Sequence, residues 1–326
     1  FQLKCILMTI TDWIYSEEFA SLEKGFLKWL ETLNYSPSTI ATRRRNIREF
    51  LLYLERCGIN NIADASQYKV SRYVRYLKRR ENKLYGSGLM NASVNVGIST
   101  VNKFFEYLSQ SGISHVPDKL AYLNGNYKPI QVLSRNEVDQ LYAATYIKNP
   151  KVKPKNKLME EAIQMRDRAM LAVYYGCGLR KSEGTGLKSQ DIQIERKIVF
   201  VREGKGSKQR NVPVTGNTLT YLTEYLHTGR KILLERSPNP TSPERFFINQ
   251  YGEACSDQAL SLRLDLLVKN SGSSSLQAKR PTLHTLRHSI ATHLLQQGMQ
   301  IEMIQQFLGH ASLETTQLYT HIVNEL

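Results

Sequence analysis

Residues 281–326, PTLHTLRHSIATHLLQQGMQIEMIQQFLGHASLETTQLYTHIVNEL, set polar groups into segments that otherwise read as core helix. His284 and Arg287 stand three apart and so share one face of a helix. Leu283, Leu286, Ile290 and Leu294 keep a helical period around them. Arg287 therefore falls at the edge of an apolar stripe, where a cation without an anionic partner is costly. His310 follows Leu308-Gly309, and Tyr319 lies nine residues further on. A structural ion pair is the ordinary explanation of one such Arg. It accounts less well for an Arg, two His and a Tyr gathered at the end of one chain.

Phosphodiester exchange suits these groups. A phosphodiester oxygen gains negative charge as a nucleophile attacks, and Arg forks can hold it in bidentate geometry. A Tyr hydroxyl can be that nucleophile, storing the bond energy in a covalent phosphotyrosine. The chemistry then needs a second Arg and an acid for the leaving 5′-hydroxyl, and both have upstream candidates.

With 326 residues, 41% of them hydrophobic, the chain can fill more than one core, so two domains are expected. Its net charge is +15, of which residues 1–130 carry +7 from 18 basic and 11 acidic residues. Both halves are basic, which favours a polyanion gripped along its length over a basic tail. Cys5, Cys57, Cys177 and Cys255 show neither disulfide nor metal spacing, as in a reduced, cytosolic setting. No apolar run approaches the roughly 20 residues that span a bilayer. The opening FQLKCILMTI lacks an initiator Met and a convincing signal pattern, and reads as a fragment boundary.

Along the chain, a helix is expected from Ser16-Glu17-Glu18 to about Asn34. Ser36-Pro37 caps a second, which runs to Cys57 and stops at Gly58. Arg43, Arg44, Arg45 and Arg48 crowd its first half, where the macrodipole disfavours cations. Either water or an external phosphate relieves that charge. A third helix covers about Ser66–Arg80. A fourth, about Met90–Ser109, has Val94, Ile98, Val101, Phe105 and Leu108 at core spacing. Its other face carries Asn91, Asn95, Ser99, Asn102 and Lys103, groups able to reach base edges or simply solvated. Residues 13–112 thus read as a helical bundle with a basic face, and 113–131 as a linker containing Pro117, Gly125 and Pro129.

Ser134-Arg135-Asn136-Glu137 is a capping box, and a buried helix is expected over about Glu161–Tyr175. Gly176 and Gly178 then break the chain before Arg180, the candidate second Arg, placed at a helix N-terminus that favours anions. Glu183, one turn on, can orient its guanidinium. Alternating runs at Ile192–Ile194, Lys197–Val201 and Arg210–Val214 predict a small antiparallel sheet. Between the last two, Gly204 and Gly206 flank Lys205, the candidate acid, with Lys208 close behind. This is no P-loop, since Gly206 rather than Ser or Thr follows the Lys. Helices over about Gly216–Glu235 and Ser256–Asn270 frame a short strand at Phe246–Ile248, and Ser271–Ser275 reads as a flexible connection.

Taken in order, Gly178-Leu179-Arg180-Lys181-Ser182-Glu183, Gly204-Lys205-Gly206-Ser207-Lys208-Gln209-Arg210, His284-Thr285-Leu286-Arg287-His288, Leu308-Gly309-His310 and Tyr319-Thr320-His321 resemble the tyrosine recombinase (phage integrase) family. Its Xer-like and transposon-encoded members are the nearest in pattern. The resemblance implies a mainly α fold with a small antiparallel sheet (α+β): a SAM-like core-binding domain over 13–112 and a catalytic domain over 132–326, closing on DNA as a C-shaped clamp. It implies site-specific recombination or integration, for a mobile element or of the Xer type. Tyr319 would form a 3′-phosphotyrosyl link, Arg180 and Arg287 would hold the phosphate oxygens, and His310 would add a hydrogen bond. His284 would manage the Tyr proton and Lys205 would protonate the 5′-hydroxyl. Arg43, Arg44, Arg48, Asn95, Ser99, Asn102, Lys103 and Lys208 would contact double-stranded DNA. Neither metal nor cofactor is implied. The working form would be four protomers on two DNA sites, monomeric when free, in the cytoplasm at a prokaryotic nucleoid.

Two departures from the family pattern stand out. Gly184-Thr185-Gly186 replaces apolar residues after Glu183, at an expected helix cost of about 1 kcal/mol per Gly. Seven residues follow Tyr319, where relatives often carry a longer docking tail. Three rival readings remain. A metal nuclease would use His284, His288 and His293, but lacks accompanying carboxylates. A type IB topoisomerase shares the chemistry. A silent DNA-binding relative would have no use for Tyr319.

Overall fold

The computed structural model describes residues 14, 16–80, 88–112, 117–124, 131–147, 157–202 and 209–309. The chain divides into two compact units, residues 1–128 and 129–326. Most described residues are helical, with one small sheet.

The first unit holds α1 (Glu17–Thr32), α2 (Pro37–Arg56), α3 (Gln67–Arg79) and α4 (Asn91–Gln110). Ser16 and Ser36 cap the first two helices by accepting from the Phe19 and Thr39 amides, and Pro37 occupies the first helical position. Phe19, Phe26 and Leu30 of α1 meet Phe50 and Leu54 of α2, Tyr73 and Leu77 of α3, and Val94, Ile98, Val101 and Phe105 of α4 in one core. Edge-on packing of Phe50 on Tyr73, 4.9 Å between ring centres, closes it.

Residues 117–124 lie along α4, which corrects two expectations. Asn102 is buried, and its amide exchanges both hydrogen bonds with the Leu120 backbone, at 2.9 and 2.7 Å. Asn95 does the same with Leu123, both bonds 2.8 Å, and Asn91 donates to the Asn124 carbonyl. An extended segment without a strand partner must find other groups for its N–H and C=O. Side-chain amides, each a donor and an acceptor, supply them. The amides of Asn95 and Asn102, expected at base edges, are spent holding this segment. The expected linker is correspondingly shortened, because Leu120 belongs to the first core.

In the second unit α5 (Arg135–Ala144) opens on the expected capping box of Ser134 and Glu137. Glu137 also takes a 2.7 Å hydrogen bond from Lys279 at the end of α11 (Ser274–Lys279). The central helix, α6 (Lys157–Leu171), continues through a π-helical turn at Ala172–Gly176 and leads to α7 (Lys181–Gly186). Strands β1 (Ile192–Gln193), β2 (Ile198–Val201) and β3 (Arg210–Pro213) pair antiparallel in that order. The register sets Ile192 against Val199 and Val201 against Arg210. α8 (Gly216–Glu224) passes through a second π turn into α9 (Arg230–Leu234). α10 (Asp257–Asn270), α11, α12 (Leu283–Gln296) and α13 (Ile301–Leu308) follow among the described residues.

Two further expectations change here. Phe246–Ile248 is not a strand: the three side chains are buried around Tyr225, and only an isolated bridge joins Ile248 to Ala254. The Ser-rich stretch is not a loose connection either, because Ser273 caps α11 by accepting from the Leu276 amide. No described helix is long and apolar enough to cross a membrane.

Helix α7 forms despite its two glycines because Tyr174 from the π turn fills the space over it. The Tyr174 hydroxyl donates to the Lys181 carbonyl at 3.1 Å, and a Cβ on Gly184 would stand 2.6 Å from its ring. Gly184 is therefore a packing requirement. Helix propensity alone predicts that Gly184→Ala stabilises by about 1 kcal/mol. The buried ring reverses that sign: Gly184→Ala should destabilise by about 1–3 kcal/mol, as overpacking does, read as a lowered midpoint in denaturant melts.

Candidate active site

Thr282 caps α12 by accepting from the Thr285 amide, so the helix starts one residue before His284. Leu283 and Leu286 pack inward and draw Arg287 with them. Arg287 is only 2% exposed, which demands full pairing of its guanidinium. It donates to the Gly178 carbonyl at 2.5 Å and to the Leu308 carbonyl at 2.8 Å, and lies 3.8 Å from Glu183. Gly178 permits this approach through its left-handed backbone, φ 59°, because a Cβ there would strike Leu308 at 2.8 Å.

Arg180 is the N-cap residue of α7. Its Nη1 donates to Glu183 Oε1 at 2.6 Å and its Nη2 to the Gly309 carbonyl at 2.6 Å. The Arg180 amide donates to Glu183 Oε2 at 2.9 Å. A third guanidinium completes the cluster. Arg210, at the start of β3, grips both oxygens of Glu183 with Nη1 at 3.1 Å and Nη2 at 2.8 Å, while its Nε donates to the Phe307 carbonyl.

Burial alone would raise the Glu183 carboxyl. The hydrogen bonds and charge of Arg210, then those of Arg180, outweigh it and bring the group down to about 2. Glu183 is thus ionised throughout the neutral range. Three Arg cations around one carboxylate leave a surplus of positive charge. In this state carbonyls 307, 308 and 309, at the negative end of the α13 dipole, share it. An anionic oxygen is the natural further partner of such a cluster.

His284 projects from the same helix to the surface, with its ring edge-on to His288, 4.9 Å between centres. Partial desolvation, then the charges of Arg287 and Arg180, lowers the His284 imidazole below the ordinary His range. Burial, His284 and Arg287 lower His288 further, to about 4. Both rings are accordingly neutral at pH 7 and able to accept a proton. Arg180, Glu183, His284 and Arg287 therefore meet in one place. Lys205, Lys208, His310 and Tyr319 lie outside the described residues.

Arg210 is the residue that sequence reasoning passed over. Its place in an alternating run marks it as a strand residue, and nothing local pairs it with Glu183. His288, weighed in the sequence only as a metal ligand, instead sets its ring against His284.

In the first unit, three of the candidate contact residues, Arg43, Asn95 and Ser99, line a cleft of about 290 Å³ between α2 and α4, together with Thr39 and Val96. Arg43 donates to the Ser99 carbonyl at 3.2 Å and lies over the Tyr35 ring. Arg48 forks onto the buried Glu23 of α1 at 2.9 Å, with Arg44 at 3.8 Å from the same carboxylate. Lys103 pairs with Glu106 at 2.8 Å and covers Trp29. The crowding of cations on α2 is therefore relieved in part from within, by Glu23.

The profile of the phage integrase family matches residues 131–325, and that of the phage integrase N-terminal SAM-like domain matches residues 24–112. A tyrosine recombinase XerC of Halalkalibacterium halodurans is 31% identical, covering 92% of this chain and 92% of its own. The XerC of Bacillus subtilis (strain 168) is 30% identical over 95% of this chain and 94% of its own. Among solved structures, the XerH site-specific recombinase in a post-cleavage complex shares the fold at TM-score 0.67 and 22% identity, covering 94% of this chain and 82% of that one. The Tn1549 transposon integrase with transposon right end DNA does so at TM-score 0.68 and 18% identity, covering 91% and 94%. With both units accounted for, the chain belongs to the phage integrase family.

Proposed function

We propose that the chain is a site-specific DNA recombinase that cuts and rejoins strands through a 3′-phosphotyrosyl intermediate, in Xer-type recombination or for a mobile element. The observation that carries this is the cluster of Arg180, Arg210 and Arg287 on the single carboxylate Glu183, with a neutral His284 at its rim. It is a cation-rich site beside a proton acceptor, as phosphoryl transfer from a strong acid ester requires.

The Tyr319 hydroxyl attacks the scissile phosphorus and gives its proton to His284. The P–O5′ bond breaks as the Tyr–P bond forms, and Lys205 protonates the leaving 5′-oxygen. Arg180 and Arg287 hold the non-bridging oxygens, where negative charge grows, and His310 adds a hydrogen bond. Attack by a 5′-hydroxyl on the phosphotyrosine reverses these steps and rejoins the strand, so bond energy is conserved. Exchange between two duplexes needs four cuts, hence four protomers on two sites, with basic residues such as Arg43 and Arg44 of the first unit on the duplex backbone.

A duplex nicked near the cleavage position loses the short product strand and traps the intermediate. Wild type should accumulate a covalent adduct on it, and Tyr319→Phe should form none. An adduct on the Phe variant, or a phosphotyrosine mapped to Tyr15, Tyr174 or Tyr251, would contradict the assignment.

The pH profile tests His284. Its folded pKa lies below the ordinary His value, so the imidazole stays an acceptor at pH 7 and is lost only as pH falls below that value. Burial, then the charges of Arg287 and Arg180, keeps it low. Single-turnover cleavage should fall along that acid limb in wild type, and His284→Gln should be slower at pH 7 with the limb flattened. An unchanged limb in the variant assigns it to another group.

Lys205 can be separated from the phosphate-holding residues by chemistry. A positioned acid contributes on the order of 10²–10⁴-fold to the rate, but a 5′-thiolate leaves with little need of a proton. With sulfur at the bridging 5′ position, Lys205→Ala should cleave near the wild-type rate while remaining slow on ordinary DNA. Arg287→Ala should be slow on both. Equal impairment of Lys205→Ala on both substrates would make Lys205 a phosphate ligand and Lys208 the next acid to test.

A further inference from the structure

Arg210 sits where three chain segments converge. It opens β3, its fork closes on Glu183 of α7, and its Nε holds the Phe307 carbonyl at the end of α13. Gly309 turns directly over it. That residue is in the left-handed region, φ 66°, and a Cβ there would stand 2.8 Å from Arg210 Nη1 and 2.9 Å from its Cδ. The Gly309 carbonyl is also the acceptor for Arg180 Nη2, and His310 is the next residue in the chain. All three nitrogens of the Arg210 guanidinium are engaged within the fold, Nη1 and Nη2 by Glu183 and Nε by the Phe307 carbonyl.

We propose that Arg210 is a positioning residue for DNA cleavage: it fixes and charge-balances Glu183 so that Arg180 keeps its orientation and its positive charge for the scissile phosphate. The inference rests on the reaction proposed above. Both oxygens of Glu183 are saturated when Arg210 is present, Oε1 by Arg180 and Arg210 side chains, Oε2 by the Arg180 amide and Arg210. That sets the plane of the carboxylate, and with it the Arg180 fork. Without Arg210 each oxygen loses its second donor and the group can rotate. The charge argument runs the same way. Arg210 cancels the carboxylate, leaving Arg180 and Arg287 cationic towards an incoming anion. Remove it, and Glu183 spends its charge against Arg180. The Gly309 turn would lose the guanidinium it rests on.

The test uses the full chain, the nicked duplex and four proteins: wild type, Arg210→Gln, Arg210→Lys and Arg210→Gln with Glu183→Gln. Misplacement of a reacting group by about 1 Å costs on the order of 10²-fold. Arg210→Gln should therefore form adduct about 10²-fold more slowly at saturating DNA, with the Kd for DNA within about threefold of wild type. Arg210→Lys returns charge but not the fork, and should recover part of the rate. It also serves as the test variant should the Gln form melt. The double variant should be no slower than Arg210→Gln, since the two residues act as one unit. A wild-type rate in Arg210→Gln overturns the proposal, as does a loss seen only in Kd, which would make Arg210 a DNA contact. A loss fully accounted for by the fraction unfolded, measured by melting at the assay temperature, overturns it too. Wild type that forms no adduct sinks the proposed reaction and this inference together; a wild-type adduct with Arg210 variants undisturbed sinks this inference alone.

Discussion

One buried carboxylate holds the second unit's functional end together. Glu183 is 6% exposed, and an unpaired charge there would be prohibitively costly. It is matched by more cation than it can neutralise: Arg180 and Arg210 on its two oxygens, Arg287 beyond. Those cations reach it from α7, β3 and α12, so the positions of three elements are tied to one group. Their remaining donors go to carbonyls of Gly178, Phe307, Leu308 and Gly309. A site of this kind needs no metal to gather positive charge, because the protein's own guanidiniums supply it in fixed geometry.

Helix α7 shows how such a group is supported. By propensity a six-residue helix with two glycines is poor, and its stability comes from outside. Tyr174 reaches it from the π turn that ends α6, closing over Gly184 and bonding to the Lys181 carbonyl. The π turn and the glycine are two halves of one fit: the turn brings the ring into place, and the missing Cβ leaves room for it. Arg180 is thereby held at the N-cap of a helix that would not persist alone.

The first unit solves a similar problem with neutral groups. Asn91, Asn95 and Asn102 on one face of α4 satisfy the backbone of an extended segment. Glu23 of α1 offsets the Arg residues of α2 in the way Glu183 offsets those of the second unit, although Arg44 and Arg48 remain substantially open to solvent. Positive charge is kept on that face while its worst local repulsion is removed.

What the chain determined by itself lies close along the backbone. Ser16, Ser36, Ser134 and Ser256 announce helix starts, and their side chains do cap those helices. The periods of α4 and α12 and the alternation of β2 and β3 were legible because caps and periodicity act over a few residues. The ordered series of Arg, Lys, His, Arg, His and Tyr was legible as a family pattern. Tertiary structure decided the rest. The Ser-rich stretch that resembles a loose connection contains a helix cap, and asparagines that could read bases instead read the chain's own backbone. Arg210 meets Glu183 across 27 residues and Phe307 across 97. Which buried carboxylate, carbonyl or amide a polar side chain finds depends on segments brought together only by packing, and no local pattern encodes that partner.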